Sequence, residues 1–181
     1  MRRLIFAVAM LATMLAGCAH RPPAPKQALP TLQLSPASLG RTLSVQQRLH
    51  FAVGGQQREL DALLEVDPDE LRLLVQALGQ TGVRLQWDGR TLTQHRAPWL
   101  PAAVRGERVL DDLQFALWPV DAIAATLPAG WTVSERQNVR ELVHGGTAWL
   151  VATQLTPQRL RLENLAEGYR LEVETTAEAS P

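Results

Sequence analysis

Apolar and polar residues alternate along most of the chain from Leu43 onward. In the first such segment the apolar set is Leu43, Val45, Leu49, Phe51 and Val53. A period of two places successive side chains on opposite faces, so this segment is predicted to be a strand with one buried face. Gly54 and Gly55 follow, and the alternation then resumes with the apolar set Leu60, Ala62, Leu64 and Val66. Two alternating segments joined by two glycines predict an antiparallel β-hairpin.

Two further turn signals divide the next stretch into strands. Pro68 stands second in an Asp-Pro-Asp-Glu turn, where its fixed φ suits the backbone. Residues 71–78 are apolar on both faces, which is typical of a central strand or of a short buried helix, and the neighbouring segments favour the strand. Asp88 and Gly89 predict a two-residue hairpin turn that would place Leu92 opposite Leu85 on the same face.

The apolar period changes after residue 106 to three and four residues. The apolar side of the predicted helix is Val109, Leu110, Leu113 and Leu117, and Pro119 ends it. The other side carries Asp111, Asp112 and Gln114, which we expect to face solvent. A second short helix is predicted over residues 121–127, before a Pro-Ala-Gly sequence.

Alternating segments then resume and continue almost to the end of the chain. They cover residues 131–137, 139–144, 147–155, 158–164 and 169–174, with Gly145 and Gly146 as a hairpin turn. Together with the first half, this predicts about ten antiparallel strands interrupted by a pair of helices. The predicted fold class is therefore α+β.

The N-terminus has the ordered features of a bacterial lipoprotein signal. Arg2 and Arg3 precede an apolar run over residues 4–15, which is shorter than the about 20 residues needed to span a bilayer. The sequence Leu-Ala-Gly-Cys at residues 15–18 then predicts removal of residues 1–17 as a signal peptide and lipid attachment at Cys18, the only cysteine. One acyl chain binds a membrane only marginally, whereas the three of a bacterial lipoprotein would anchor it stably. Ala19 in place of Asp favours the outer membrane, with the protein facing the periplasm.

Proline content sets the predicted domain boundaries. Residues 18–39 contain five prolines and are predicted to be an extended, lipidated tether. The folded domain is then expected over residues 40–176, with a disordered tail at residues 177–181.

Three short motifs carry a resemblance to a known family. They are Leu-Pro-Ala-Gly-Trp at residues 127–131, Gly-Gly-Thr-Ala-Trp at residues 145–149 and Leu-Ala-Glu-Gly-Tyr-Arg-Leu at residues 165–171. Together with the Leu-Ala-Gly-Cys sequence (the lipobox), the proline-rich tether and the pair of helices between the strands (the helical insert), they resemble a known family. This family is the uncharacterised Gram-negative outer-membrane lipoproteins of domain-of-unknown-function family 3261. Members of that family often lie in biosynthetic clusters for aryl polyenes or related fatty-acid-like products.

The order of the elements also resembles the lipoprotein carriers of the LolA and LolB group. That resemblance implies a strongly curved antiparallel sheet, an incomplete β-barrel, whose concave apolar face is covered by the two helices and receives acyl chains. It lies in the order and patterning of the elements rather than in diagnostic residues.

Composition and motifs disfavour several functional classes. The chain carries 18 basic and 18 acidic residues, with a formal net charge of +0, so no nucleic-acid partner is expected. The four histidines stand at no metal-ligand spacing, and neither a metal nor another cofactor is expected. An enzyme is not expected either, because no nucleophile motif or phosphate loop is present and acidic pairs such as Asp111 and Asp112 fit a solvated helix face.

The candidate ligand site is apolar and lies around the predicted helix pair. Its residues are Leu110, Leu113, Leu117, Trp118, Trp99 and Trp131. Such side chains either fill a solid core or line a cavity, and the sequence leaves both open. The two hypotheses are accordingly a monomeric lipoprotein that binds or transfers a hydrophobic ligand, and a non-enzymatic structural or assembly lipoprotein with a filled core. For the first, the ligand would be an acyl chain of a lipoprotein or a lipid or aryl-polyene-type amphiphile.

Overall fold

The computed structural model describes residues 28–100 and 104–178 of the chain. Cys18 and the predicted signal peptide lie outside the described residues. The strands are β1 (Leu43–Val53), β2 (Gln56–Val66), β3 (Leu71–Ala77), β4 (Gln80–Trp87), β5 (Leu92–Arg96), β6 (Trp131–Arg136), β7 (Val139–His144), β8 (Thr147–Thr156), β9 (Arg159–Asn164) and β10 (Tyr169–Glu178). The helices are α1 (Gly106–Leu117) and α2 (Val120–Ala124), and a 3-10 turn covers Pro36–Leu39. Most of the described fold is β, with two short helices, so the predicted α+β class overstates the helical content.

All ten strands belong to one antiparallel sheet, as the alternation predicts. Their order is β5-β4-β3-β2-β1-β10-β9-β8-β7-β6, so each half of the chain forms a run of successive hairpins. The two halves join in the middle, where β1 pairs with both β2 and β10. Within the described residues β5 and β6 are the edges and do not pair with each other, so the sheet stays open.

Local turn chemistry fixes the register of the first hairpins. Gly54 and Gly55 have φ of 56° and 78°, a conformation in which a side chain would be strained, and they join Val53 to its partner Gln56. In the next turn the Asp67 carboxylate accepts hydrogen bonds from the amides of Asp69 and Glu70 at 2.9 and 2.8 Å. Both predicted turns are confirmed.

The turn between β4 and β5 is longer than predicted. Trp87 pairs with Leu92, so four residues form the loop, and Leu85 lies opposite Gln94 rather than Leu92. The cause is the Asp88 side chain, whose Oδ1 accepts hydrogen bonds from the amides of Arg90 and Thr91 at 2.8 and 2.6 Å. An aspartate that binds its own turn in this way stabilises a wider loop than a two-residue hairpin needs.

Replacing Gly89 with Val is expected to lower the free energy of unfolding by about 1 to 3 kcal/mol. Gly89 has φ of 90°, which a β-branched residue tolerates poorly, and a Cβ there would lie 3.4 Å from Cδ of Pro36. Urea denaturation measures the loss. Gly89→Asn is the control, because Asn adopts positive φ more readily and should keep more of the stability. Equal stability of the Val variant and the parent would show that this turn does not constrain the fold.

One face of the sheet is apolar and buried, and the helical insert packs on it. The largest fully buried strand residues are Leu64, Val66, Leu71, Leu85, Leu142, Leu150 and Leu162. Helix α1 lies next to β4 and β5, while α2 lies next to β6, so the insert touches both ends of the strand order. This arrangement is consistent with an open curved sheet.

Arg140 of β7 fastens the end of α1 to the second half of the sheet. Its Nη1 donates hydrogen bonds to the carbonyls of Phe115 at 2.6 Å and Trp118 at 2.8 Å. Carbonyls at a helix C-terminus have no partner within the helix, and a cation there also interacts favourably with the helix dipole. The contact fixes where α1 ends over the sheet.

The folded domain begins earlier than the predicted boundary at residue 40. Residues 28–39, called the N-terminal segment below, were assigned to the tether because of their prolines, yet Leu32 and Leu34 are buried. Trp87 donates its indole N–H to the Leu34 carbonyl at 2.7 Å. The apolar residues of this segment thus belong to the core, which a solvated tether would not allow.

The domain also ends later than predicted. Ala177 and Glu178, assigned to a disordered tail, continue β10 and lie opposite Gln46 and Val45 of β1. Residues 179–181 lie outside the described residues. No helix in the described part of the chain combines the length and the apolar character needed to cross a bilayer.

Candidate functional site

A cavity lies between helix α1 and the middle of the sheet. Its volume is about 120 Å³. From the sheet it is lined mainly by Leu49, Phe51, Leu60, Ala62, Leu73, Val75, Val83, Leu160, Leu162, Leu171 and Val173. From α1 it is lined by Val109, Leu113, Ala116 and Leu117. The helix therefore covers the sheet without filling the space beneath it.

The size and chemistry of this cavity suit an apolar group. An engineered cavity of about 150 Å³ lined by Leu, Ile and Phe stays dry and binds benzene, and the present cavity is similar in size and lining. Leu113 and Leu117 are only half-buried, so the cavity lies close to the surface along this side of α1. The end of a hydrocarbon chain could enter there and exchange water contact for apolar contact.

A second, wider space adjoins the cavity and is called the outer cleft here. It has a volume of about 590 Å³. The residues that line both spaces are Gln47, Leu117, Leu160 and Val173. The cavity and the outer cleft therefore adjoin each other along these four side chains.

A group of buried polar side chains, called the polar cluster here, borders the cavity. Arg108 of α1 forms ion pairs with Asp111 at 3.3 Å and Asp112 at 3.1 Å. The Tyr169 hydroxyl of β10 donates a hydrogen bond to Asp112, and Asn164 donates one to the Tyr169 hydroxyl at 3.0 Å. The cluster ties the first half of α1 to β9 and β10.

Burial dominates the electrostatics of the polar cluster. It raises the pKa of Asp112 from 3.8 to about 7, although the Arg108 guanidinium and the Tyr169 hydrogen bond act in the opposite direction. Burial also raises the pKa of Asp111, and burial together with the Asp112 carboxylate raises the pKa of Tyr169. With one guanidinium facing two carboxyl groups, the cluster presents no net positive charge to the cavity.

The polar side of α1 is buried, contrary to the prediction that it faces solvent. The N-terminal segment covers it: the amide of Leu32 donates to Asp111 at 2.8 Å, and the amide of Leu34 donates to Gln114 at 2.9 Å. Gln114, which is 0% exposed, also donates its side-chain N–H to the Leu34 carbonyl at 2.8 Å. Polar groups can be buried when they are paired, and no buried side-chain N or O atom among the described residues lacks a hydrogen-bond partner.

Of the six predicted ligand residues, the structure brings two to the cavity. Leu113 and Leu117 line it, because they lie on the side of α1 that faces the open middle of the sheet. Leu110 is 1% exposed and packs in the core away from the cavity lining.

The three predicted tryptophans have structural contacts elsewhere. Trp118 is fully buried, and its indole N–H is satisfied there by the Ser35 carbonyl at 3.1 Å and the Ser38 hydroxyl at 3.0 Å. Trp99 lies against Gly82 in the first half of the sheet. Trp131 stacks with His144 at a ring-centroid distance of 4.9 Å. None of the three lines the cavity.

Most of the cavity lining and the pairing within the polar cluster are not predicted from the sequence. Most of the lining comes from inward-facing strand residues, which the alternation predicts to be buried but cannot assign to a cavity. No three His, Cys, Asp or Glu side chains within residues 28–100 and 104–178 form a group that could hold a metal ion.

A family model matches most of the chain. The model of a family described as "protein of unknown function (DUF3261)" matches residues 44–177. The match runs from β1 into β10 and includes α1, α2 and all of the described cavity lining. No curated protein matches the chain. Since the match covers most of the sequence, the chain belongs to the DUF3261 family.

Proposed function

We propose that the protein is an outer-membrane lipoprotein that binds the hydrocarbon chain of an amphiphile between α1 and the sheet. The observation that carries this proposal is the apolar cavity lined by Leu113, Leu117 and the inner face of the central strands. The ligand would be an acyl chain of a lipoprotein or a lipid or polyene-type amphiphile. The protein would hold or transfer it at the periplasmic face of the membrane.

The position of the helices supports a carrier-like arrangement. In this interpretation the sheet is an incomplete β-barrel of the LolA and LolB kind, and the helix pair covers its concave face. Contacts of the insert with β4 and β5 on one side and with β6 and β7 on the other support it. The cavity favours chain binding over a structural or assembly lipoprotein with a filled core.

The lipid anchor would keep the domain close to the bilayer. Because the folded domain already includes Leu29 and Leu32, only about ten residues separate it from Cys18. At about 3.3 to 3.6 Å per extended residue, these span at most about 35 Å. The cavity would thus stand within reach of the membrane from which a chain could be taken or to which it could be given.

Replacing Cys18 with Ser is expected to abolish incorporation of radioactive palmitate. The thiol is the atom to which the diacylglycerol would be attached, and a hydroxyl does not replace it in a lipobox. The variant should accumulate as unprocessed precursor or as soluble product. Continued labelling of this variant would remove the lipoprotein part of the proposal.

Replacing Leu117 with Glu is expected to weaken chain binding at least tenfold while changing the melting temperature little. Leu117 lines both the cavity and the outer cleft, so a carboxylate there can stay solvated in the free protein but must be desolvated beside a bound chain. Binding is measured by the fluorescence of N-phenyl-1-naphthylamine, a neutral apolar probe, with unlipidated full chain from cell-free synthesis.

The matched control is Leu165→Glu, because Leu165 is 54% exposed and does not line the cavity. This control should bind the probe like the parent protein. If the parent protein does not bind the probe, or if both glutamate variants bind it equally well, the cavity is not the binding site and the proposed function fails.

A further inference from the structure

We infer that the outer cleft holds the anionic head group of the amphiphile, with Arg41 as its counter-charge. This inference rests on the proposed function, because the hydrocarbon chain of the same ligand would fill the adjoining cavity. It assigns a ligand class, a hydrocarbon chain with a carboxylate or phosphate head, and a direction of binding.

The cavity and the outer cleft adjoin each other. Leu117 of α1, Leu160 of β9 and Val173 of β10 line both the cavity and the outer cleft. A chain that lies against these three side chains would extend into the cavity at one end. At its other end it would emerge into the outer cleft without leaving the protein surface.

The lining changes from apolar in the cavity to more polar in the outer cleft. The cavity is lined mainly by aliphatic and aromatic side chains, whereas the outer cleft adds a set of polar ones: Arg41, Gln154, Gln158, Thr175 and Thr176. Gln154 and Thr176 already donate to backbone carbonyls, whereas the amide of Gln158 and the hydroxyl of Thr175 can donate hydrogen bonds to anionic oxygens. This gradient from apolar to polar matches an amphiphile that binds with its chain inward.

The charge of the outer cleft comes from Arg41. This residue is exposed, lies two positions before β1, and is the only charged residue in the cleft lining among the described side chains. No acidic residue lines the cleft among the described side chains, those of residues 28–100 and 104–176, and no ion pair joins Arg41 to an acid among them. A guanidinium in this setting can form charge-assisted hydrogen bonds with a carboxylate or a phosphate.

The polar cluster at the Arg108 end of the cavity disfavours the opposite direction of binding. The cation on the far side of the cavity is Arg108, and its guanidinium is already paired with Asp111 and Asp112. A head group that entered first would meet the Asp112 carboxyl group in an apolar environment, beside a guanidinium that is already paired, which is costly for an anion. The chain therefore enters and the head stays at Arg41.

The experiment displaces bound N-phenyl-1-naphthylamine with four compounds that share a twelve-carbon chain, each below its critical micelle concentration. They are dodecanoate, dodecyl phosphate, the neutral glycerol monoester of dodecanoic acid, and dodecyltrimethylammonium. We expect at least one of the two anions to bind 3- to 10-fold more tightly than the neutral ester and the cation to bind least. Comparison of the two anions distinguishes a carboxylate head from a phosphate head.

Two variants test the residue itself. Arg41→Gln should remove the preference for anions and leave affinity for the neutral ester unchanged. The matched control is Arg84→Gln, which removes the same charge from the exposed face of β4 and should leave all affinities unchanged. The anion preference should also shrink in high salt, because an exposed ion pair is screened.

The possible failures are distinguishable. If the neutral ester binds as tightly as both anions, or if Arg41→Gln leaves an anion preference intact, the inference is overturned and the proposed function still stands. If none of the four compounds displaces the fluorophore from the parent protein, both fail.

Discussion

Replacing Arg108 with Met is expected to lower the free energy of unfolding by about 3 to 5 kcal/mol at neutral pH. Met has a similar length and keeps the apolar contacts of the side chain. It leaves the carboxyl groups of Asp111 and Asp112, which are 4% and 7% exposed, without their cation. An uncompensated buried charge is far more costly than the loss of an exposed ion pair.

The cost of Arg108→Met is also expected to depend on pH. Burial raises the pKa of Asp112 from 3.8 to about 7, so the folded state favours its protonated form. The contribution of this group to stability is therefore complete below about pH 4 and is lost as the pH rises toward 7. Removing the guanidinium favours the protonated form further, so the variant should lose less stability at pH 5 than at pH 8.

The matched control for this prediction is Arg72→Met. Arg72 forms ion pairs with Glu65, Asp67 and Glu70, but it is 46% exposed. Exposed pairs contribute little, and we expect this control to lose about 1 kcal/mol or less. Urea denaturation of both variants at pH 5 and pH 8 measures the difference. Equal losses in the two variants, or a loss in Arg108→Met that is the same at both pH values, would contradict the assigned role of the polar cluster.

Replacing Gln114 with Ala is expected to lower the free energy of unfolding by about 1 to 3 kcal/mol, the cost of leaving one buried polar group unpaired. The amide of Leu34 loses its partner, whereas the Leu34 carbonyl keeps the hydrogen bond from Trp87. The loss should loosen the N-terminal segment first, because Gln114 binds this segment from both its donor and its acceptor atoms.

Hydrogen exchange gives the local readout of this variant. The Leu34 amide should lose protection, while amides in the middle of the sheet, such as that of Leu64, should change only with global stability. Gln86→Ala is the matched control, because Gln86 is exposed on β4 and its replacement should leave both stability and exchange nearly unchanged. Unaltered protection of Leu34 in the Gln114 variant would show that the N-terminal segment is held by other contacts.

The sheet could be predicted from the sequence because its signals are local. Alternation fixes which face of a strand is buried, and turns such as Gly54-Gly55 fix the register of neighbouring strands. The Asp88 turn shows the limit of this reasoning. The same two residues also fit a wider loop in which the aspartate side chain binds the backbone, and the hairpin register shifts accordingly.

The prediction that the polar side of α1 faces solvent is wrong because the residues that cover this side are distant in sequence. Asp111, Asp112 and Gln114 are polar, and a helix with one apolar side normally turns such residues to solvent. Here the N-terminal segment, about 80 residues earlier in sequence, supplies backbone donors and acceptors that allow them to be buried. A signal for this existed in the alternating apolar residues Leu32 and Leu34, which are unusual for a tether.

The cavity could not be predicted because it is a property of packing. The inward-facing residues of β1, β9 and β10 have the same apolar sequence pattern whether the space under α1 is filled or hollow. Two of the six predicted ligand residues, Leu113 and Leu117, line the cavity, because helical periodicity gives their side of α1 correctly. The three predicted tryptophans lie outside the cavity lining, and sequence alone does not separate the two roles, because a large aromatic side chain is as useful in a core as in a binding site.

The central claim is that a hydrocarbon chain occupies the space between α1 and the sheet. Its most direct test is methyl NMR of the unlipidated full chain during titration with the neutral glycerol monoester of dodecanoic acid, below its critical micelle concentration. We predict saturable shifts of the Leu113, Leu117 and Val173 methyl groups, which line the cavity, and little change at Leu142 and Leu150, which are buried elsewhere. Shifts confined to exposed leucines, or no saturable change at the cavity methyl groups, would contradict the claim.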